Sequence, residues 1–329
     1  MRPRGLLLAA LAAVLAFGSW RLLTPGPTLA NGPLVVEVPP GVGTVGIARR
    51  LADAGAIRSP EGFVALALVR GSYRGLRAGE YEIPRGGSTV AVLSVIESGR
   101  VRQHPLLHPE GGTLTELAAA LEQARLARAE DVLRIAADPA FLRAQGIDAA
   151  SAEGYVFPDT YHLVRGMPAE QILSRMVQRM QQKLTPELRA RAQGHALTVH
   201  ALLTLASIVE REAIAPQERS VIAAVFWNRL RIGMPLQADP TVQYAAGKER
   251  RTLTRADLQL DHPYNTYLKP GLPPGPIASP GLASIEATLE PAQVPYLYFV
   301  KKDDQQHHFS RSLEEHNQAV ARYRLARPR

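Results

Sequence analysis

The first two dozen residues constrain this chain more than any other stretch. Arg2 and Arg4 precede an uncharged run from Gly5 to Trp20 made largely of Leu, Ala, Val and Phe, and the next charge is Arg21. Leu22 and Leu23 extend it, so 5–23 approaches the ~20 residues that one helix needs to cross a bilayer. Trp20 stands where an interfacial aromatic belongs, Arg21 can snorkel, and the paired arginines keep the tip, 1–4, cytoplasmic. The expectation is a single-pass anchor in the cytoplasmic (inner) membrane, with the remainder in the periplasm or extracytoplasmic space. Cleavage after Ala30, in Thr28-Leu29-Ala30, is the alternative. Residues 24–33 are rich in Pro and Gly and read as a linker.

Beyond this segment there is ample material for a core in one large or two moderate domains, since the chain has 329 residues of which 46% are apolar. A formal charge of +8 fits an anionic partner such as nucleic acid, phospholipid headgroups or cell-wall polymer. Nucleic acid is disfavoured, because only 6% of residues are aromatic and no helix-turn-helix or RNA-binding signature is present. With no cysteine, disulfides, thiolate catalysis and Cys-ligated zinc are excluded.

Apolar spacing then lays out the elements. Leu34 to Val38 is β-prone and ends at Pro39-Pro40-Gly41. Val45 to Ala54 and Pro60 to Val69 have helical periodicity, Ala78 to Pro84 reads as a strand, and Thr89 to Ile96 as a helix. This β-α-α-β order resembles a small glycan-binding LysM-like unit and sets a module at 34–104. Further helices are expected over Leu114 to Ala129, Glu130 to Ala137, Leu173 to Leu184, Val199 to Ala213, Val221 to Leu230 and Leu313 to Leu325. Tyr296 to Val300 is a strand, and Lys269 to Gly281, dense in Pro and Gly, is a restricted loop. The fold class is α+β.

The helix beginning at Val199 carries two carboxylates near its end, Glu210 and Glu212, after the apolar run Leu205-Ala-Ser-Ile-Val. At ~100° per residue they diverge by ~200°, so they are not expected to share one cleft. Glu212 falls on the stripe of Leu205 and Ile208, while Glu210 lies toward Leu203 and Ala206. Aliphatic neighbours desolvate a carboxylate and raise its pKa, which suits a general acid. A solvated Glu-Arg-Glu run at a helix end is the alternative.

Downstream, Gln237, Asp239, Thr241 and Tyr244 surround a Pro-fixed turn, and Tyr264-Asn265-Thr266-Tyr267 is a polar-aromatic cluster. Both can orient sugar hydroxyls, or serve backbone turns alone. His307, His308 and His316 raise the question of a metal, but adjacent histidines seldom converge on one ion and no H-E-x-x-H pattern exists. His308 is instead expected in a hydrogen-bond network near the cleft. There is no G-x-S-x-G elbow and no phosphate-binding loop, and no cofactor is expected.

Taken together, several segments resemble the YceG-like endolytic murein transglycosylases. They are Glu153-Gly-Tyr-Val-Phe157-Pro158-Asp159-Thr160-Tyr161, Ala206-Ser-Ile-Val-Glu210-Arg-Glu212, Asn228-Arg229-Leu230 and Leu236-Gln-Ala-Asp239-Pro-Thr241-Val. Four more follow in the family's order: Tyr264-Asn-Thr-Tyr267, Gly271-Leu-Pro-Pro-Gly-Pro-Ile277, Pro295-Tyr-Leu-Tyr-Phe-Val300, and His308-Phe-Ser through His316-Asn317. Ala238, Ser279 and Ser312 depart from the Thr, Asn and Thr common at those positions, which touches fine substrate contacts only.

The resemblance implies a LysM-like module followed by a mixed α+β catalytic domain, here 105–329. It implies cleavage of the β-1,4 bond between N-acetylmuramic acid and N-acetylglucosamine in peptidoglycan, leaving 1,6-anhydro ends. The family's catalytic glutamate lands on Glu212, with Glu153, Gln237, Asp239, Thr241, Tyr244, Tyr264, Asn265, Thr266 and Tyr267 as candidate substrate contacts. Association with peptidoglycan synthesis complexes is implied too, and neither cofactor nor metal. A muramidase-type hydrolase would need a second carboxylate, ~5 Å away if retaining or ~6.5–9.5 Å if inverting, and Asp239 is the candidate. A non-catalytic wall-binding scaffold is the remaining alternative.

Overall fold

A computed structural model describes residues 12, 13, 16–18, 20–27, 34–248 and 251–325. Of the expected anchor, 12, 13, 16–18 and 20–23 are helical, and the rest lies outside the described residues, as do 28–33 of the linker with its cleavage alternative. Among the described residues no single helix is long and apolar enough to cross a membrane. The chain divides into two compact units, Met1–Pro105 with His162–Met167, and Leu106–Tyr161 with Pro168–Arg329. Among the described residues the architecture is mixed α+β: many helices and three two-stranded sheets.

In the first unit the order is β1 (Leu34–Val38), α1 (Thr44–Asp53), α2 (Pro60–Val69), β2 (Gly79–Ile83) and α3 (Thr89–Glu97). β1 and β2 are antiparallel, with Leu34 opposite Ile83 and Val38 opposite Gly79. Alternation sends Val36, Val38, Tyr81 and Ile83 into a core completed by Ile47, Leu51, Phe63, Val92, Leu93 and Ile96. Ser59 and Ser88 cap α2 and α3 through their hydroxyls, and Pro60 occupies the first turn of α2, where no N–H is needed. Gly79 has φ +143°, and a Cβ there would come within 2.4 Å of Val101 Cγ1, so a side chain is excluded. Glu80 is buried and paired with both Arg165, at 2.6 Å, and His104.

β3 (His104–His108) and β4 (Asp159–Leu163) pair as a second small sheet. The second unit contains the helices α4 (Leu114–Gln123), α5 (Ala129–Ala136), α6 (Pro139–Ala144), α7 (Ala169–Lys183), α8 (Pro186–Gly194) and α9 (Val199–Glu212). A 3-10 turn at Pro216–Glu218 leads into α10 (Arg219–Arg231), followed by α11 (Asp239–Ala245), α12 (Arg255–Leu258) and α13 (Leu282–Leu289). The antiparallel pair β5 (Tyr298–Lys301) and β6 (His307–Ser310) precedes α14 (Leu313–Leu325).

Helix α9 is the spine of this unit. Every residue from Leu202 to Val209 is buried, and the helix packs against α10 and α13. Thr198 caps its start by accepting from the Ala201 N–H at 3.1 Å. Leu205, Ile208 and Val209 join Ile222, Ala223, Phe226, Leu236, Ala238 and Ile277 in one apolar cluster. At ~25 cal/mol per Å² of buried apolar surface, such a cluster holds the helix in place. The Ser207 hydroxyl accepts from the Ile277 N–H at 3.1 Å, which ties the Pro- and Gly-rich loop to the spine.

Candidate active site

Glu212 is the last residue of α9, and the chain leaves the helix in an extended conformation at Ala213. Its carboxyl accepts from the backbone N–H of Asp239, the first residue of α11. The group is only partly exposed to solvent and is closely enclosed by protein. Burial, reinforced by the Asp239 charge, pushes its pKa up to about 8, against the opposing pull of Arg229 and Arg211. Near neutral pH this carboxyl is largely protonated.

An open groove of about 600 Å³ meets this end of the helix. Glu210, Arg211 and Glu212 all line it, together with Glu110, Asp239, Gln243, Lys301 and His307. Here the reading that two carboxylates ~200° apart cannot share a cleft is corrected. That reasoning holds for a cleft running along a helix flank; this one lies across the helix end, so residues on every face of the last turn reach it. The two carboxyls nonetheless differ in chemistry. Glu210 Oε1 accepts from Arg219 at 3.1 Å and Oε2 from the Gly281 N–H at 3.0 Å, so its charge is matched. Glu212 has no cation in salt-bridge contact among the described residues.

The candidate substrate contacts fall into two groups. Asp239 is exposed at the groove, and its Oδ1 accepts from the Tyr267 hydroxyl at 2.6 Å. Burial and that bond raise the Tyr267 pKa, so the phenol keeps its proton. Gln237 is exposed and sits at φ +49°, a strained position for a side-chain-bearing residue. Its N–H donates to Thr266 O at 3.0 Å.

Thr241, Asn265 and Thr266 are fully buried and bond inward. Thr241 Oγ1 lies 2.7 Å from Ala238 O and 2.8 Å from Thr266 Oγ1, which in turn accepts from the Ala238 N–H at 3.0 Å. Asn265 Nδ2 donates to Leu258 O and Leu260 O at 3.0 and 2.8 Å. Tyr244 and Tyr264 stack obliquely, with ring centroids 5.0 Å apart, against the α9 cluster. Glu153 is buried and accepts from the Leu114 N–H at 3.1 Å, at the start of α4. The segment from Gln237 to Tyr244, expected as a turn, continues into helix α11, because Pro240 is tolerated in a helix's first turn.

Three residues in or behind the groove had no signal in residue spacing. Arg229 is buried and donates to Leu297 O at 2.7 Å and Leu236 O at 2.7 Å, and its guanidinium lies 5.3 Å from the Tyr298 ring centroid. It thereby anchors the segment leading to Asp239. His307, rather than His308, lines the groove. Successive residues of a strand face opposite ways, and His308 packs on Tyr323 with centroids 5.7 Å apart. Glu218 holds His307 and is 89 positions away in sequence. Among the described residues, no three His, Cys, Asp or Glu side chains gather as a metal-binding set.

A protonated carboxyl at an open polar groove, bonded at a helix start and neighboured by a second acid, is equipped as a general acid. Comparison with known proteins narrows this class. The chain belongs to the YceG-like family, whose model matches residues 36–322. It is 33% identical over 318 residues to a Bacillus subtilis (strain 168) protein named endolytic murein transglycosylase, covering 92% of this chain and 88% of that one. A Streptococcus pneumoniae (serotype 2, strain D39) protein of the same name is 31% identical over 322 residues, covering 88% of this chain and 58% of its own length. The crystal structure of a YceG-like protein from Listeria monocytogenes matches with a TM-score of 0.62 at 34% identity, covering 87% of this chain and 98% of that one.

Proposed function

We propose that this chain is an endolytic lytic transglycosylase of peptidoglycan, acting on the β-1,4 bond between N-acetylmuramic acid and N-acetylglucosamine. The observation that carries the reading is Glu212, a carboxyl with its pKa raised to about 8 at the edge of an open groove. In the proposed cycle Glu212 gives its proton to the glycosidic oxygen as the C1–O bond breaks. The muramic C6 hydroxyl then attacks C1 within the same sugar, and its proton returns to Glu212. A 1,6-anhydro end forms, no water is consumed, and the enzyme is reset.

In this reading Asp239, Gln237 and Tyr267 meet the sugar, and Thr241, Asn265, Thr266, Tyr244, Tyr264 and Glu153 hold the walls that place them. The β-α-α-β unit at 34–104 serves as a LysM-like glycan grip. Residues 5–23 tether the enzyme to the membrane with its groove on the wall side, where peptidoglycan synthesis complexes work.

A muramidase-type hydrolysis is the second reading, favoured by one observation: Asp239 lies beside Glu212 and lines the same groove. Mass spectrometry of glycan strands digested by the full-length chain separates the two. Anhydro ends that disappear in Glu212→Gln support the transglycosylase. Reducing ends point to the hydrolase, and no new ends to a wall-binding scaffold.

A further inference from the structure

The cycle proposed for Glu212 gives no task to His307, one of the side chains that line the groove. His307 enters the groove from β6, and Glu218 holds it twice. The His307 backbone N–H donates to Glu218 Oε1 at 2.6 Å, and ring Nδ1 lies 3.0 Å from Oε2. A carboxylate only accepts, so Nδ1 carries a proton in this pair. Both side chains are nearly buried, at 6% and 8% exposure. Phe299 and Phe309 meet the imidazole edge-on, with centroids at 5.2 Å and 6.3 Å and interplanar angles of 80° and 61°. The ring orientation is therefore fixed from several sides.

Fixing the ring leaves Nε2 on the side away from Glu218. It has no hydrogen-bond partner among the described residues, yet it is not one of the sealed-off polar atoms. The little surface His307 retains is therefore spent on the groove. His200, in this same unit, is the contrasting case. Its Nδ1 lies 2.9 Å from the Tyr155 hydroxyl and its Nε2 2.7 Å from Pro274 O, so both nitrogens are engaged within the protein.

We infer that Glu218 and His307 form a substrate-holding dyad. Glu218 is the positioning residue, and His307 Nε2 accepts a hydrogen bond from a hydroxyl or amide N–H of a glycan strand bound in the groove. The inference rests on the groove's taking a polysaccharide, as proposed above, and not on which bond is cut. It gives the groove a substrate contact on β6, on the far side of the sequence from the Asp239 and Tyr267 segments.

The test is strand affinity, measured on the full-length chain carrying Glu212→Gln so that no turnover intrudes. His307→Asn leaves an amide where Nδ1 was, which keeps the bond to Glu218 but removes the groove-facing acceptor. Binding is expected to weaken about 10-fold, the value of one ordinary hydrogen bond, in a variant that still unfolds cooperatively. His307→Gln puts an amide near the Nε2 position and recovers part of the affinity. Unchanged affinity in folded His307→Asn overturns the dyad. Should His307→Asn not fold, Glu218→Gln decides: weakened binding supports the inference and unchanged binding defeats it. Strands stripped of stem peptides locate the donor, on sugar if the loss persists and on peptide if it vanishes. If the wild type makes no anhydro ends while the affinity difference stands, the reaction assigned above fails and the dyad survives; if no strand binds any variant, both fall.

Discussion

Asp239 acts on Glu212 in two opposed ways: its backbone N–H donates to the Glu212 carboxyl, while its own carboxylate repels the charge that carboxyl would gain. Repulsion and burial prevail, and Glu212 stays protonated to about pH 8. The same residue thus holds the acid in place and, with burial, helps keep it protonated.

The first consequence is in the pH profile. If Glu212 must be protonated to start the reaction, kcat/KM should fall above about pH 8, tenfold per unit. A decline centred near pH 5 would show that another group is the acid.

Removing the Asp239 charge should move that limb. Asp239→Asn keeps the backbone N–H and an oxygen for the Tyr267 hydroxyl, but deletes the repulsion. The alkaline limb is expected to shift to lower pH while anhydro ends still form. Complete loss of cleavage in this variant would favour the hydrolase, in which Asp239 takes part in bond making.

Stability carries the same signature. The folded pKa of Glu212 is raised, so its favourable contribution is full below the unfolded carboxyl value near 4.5 and is lost as pH rises through about 8. Glu212→Gln removes the ionisation, and its melting temperature should exceed the wild type's by a few degrees at pH 9 and little at pH 5. The groove admits water, so the difference is about 1–2 kcal/mol rather than the full conversion of the shift. Equal differences at both pH values would contradict the burial of this carboxyl.

Arg229→Lys keeps a positive charge but cannot reproduce the fork that reaches Leu297 O and Leu236 O, nor the contact with Tyr298. A loss of about 3 kcal/mol is expected in chemical denaturation, because buried carbonyls are left unmatched. Retained stability would mean that the segment before Asp239 is held by other contacts.

Thr241→Val tests whether the buried hydroxyls serve the wall of the groove rather than the ligand. It should cost about 1–2 kcal/mol in thermal unfolding and leave KM for glycan strands within twofold. A large rise in KM with unchanged stability would place Thr241 against the substrate.

Much of the scaffold was legible because its helices carry local signals. Pro60 to Val69 has its start marked by Ser59 and Pro60, and the spine from Val199 ends within a residue of the expected position. Strands β3, β4 and β6 were not legible. Each is four or five residues long, and β3 pairs with a partner some fifty positions away, so neither length nor alternation distinguishes it. The carboxyl at the groove could be picked out from Leu205 and Ile208, its i−7 and i−4 neighbours. Its surroundings could not: the bonds of Glu218 to His307, and of Arg229 to Leu297, join residues that only tertiary folding brings together.

The placement of the groove across the end of α9 also sets the polarity a bound sugar would feel. A helix terminates in carbonyl oxygens and bears partial negative charge there, roughly half an elementary charge. A pyranose ring that becomes cationic at its anomeric carbon would gain from that field at the moment of bond cleavage. The carboxyl that has just lost its proton is received instead by an amide at the opposite, positive pole of α11. Two helix termini of opposite sign thus flank one acid: the end of α9 favours positive charge on the sugar and opposes ionisation of Glu212, and the start of α11 offsets that opposition.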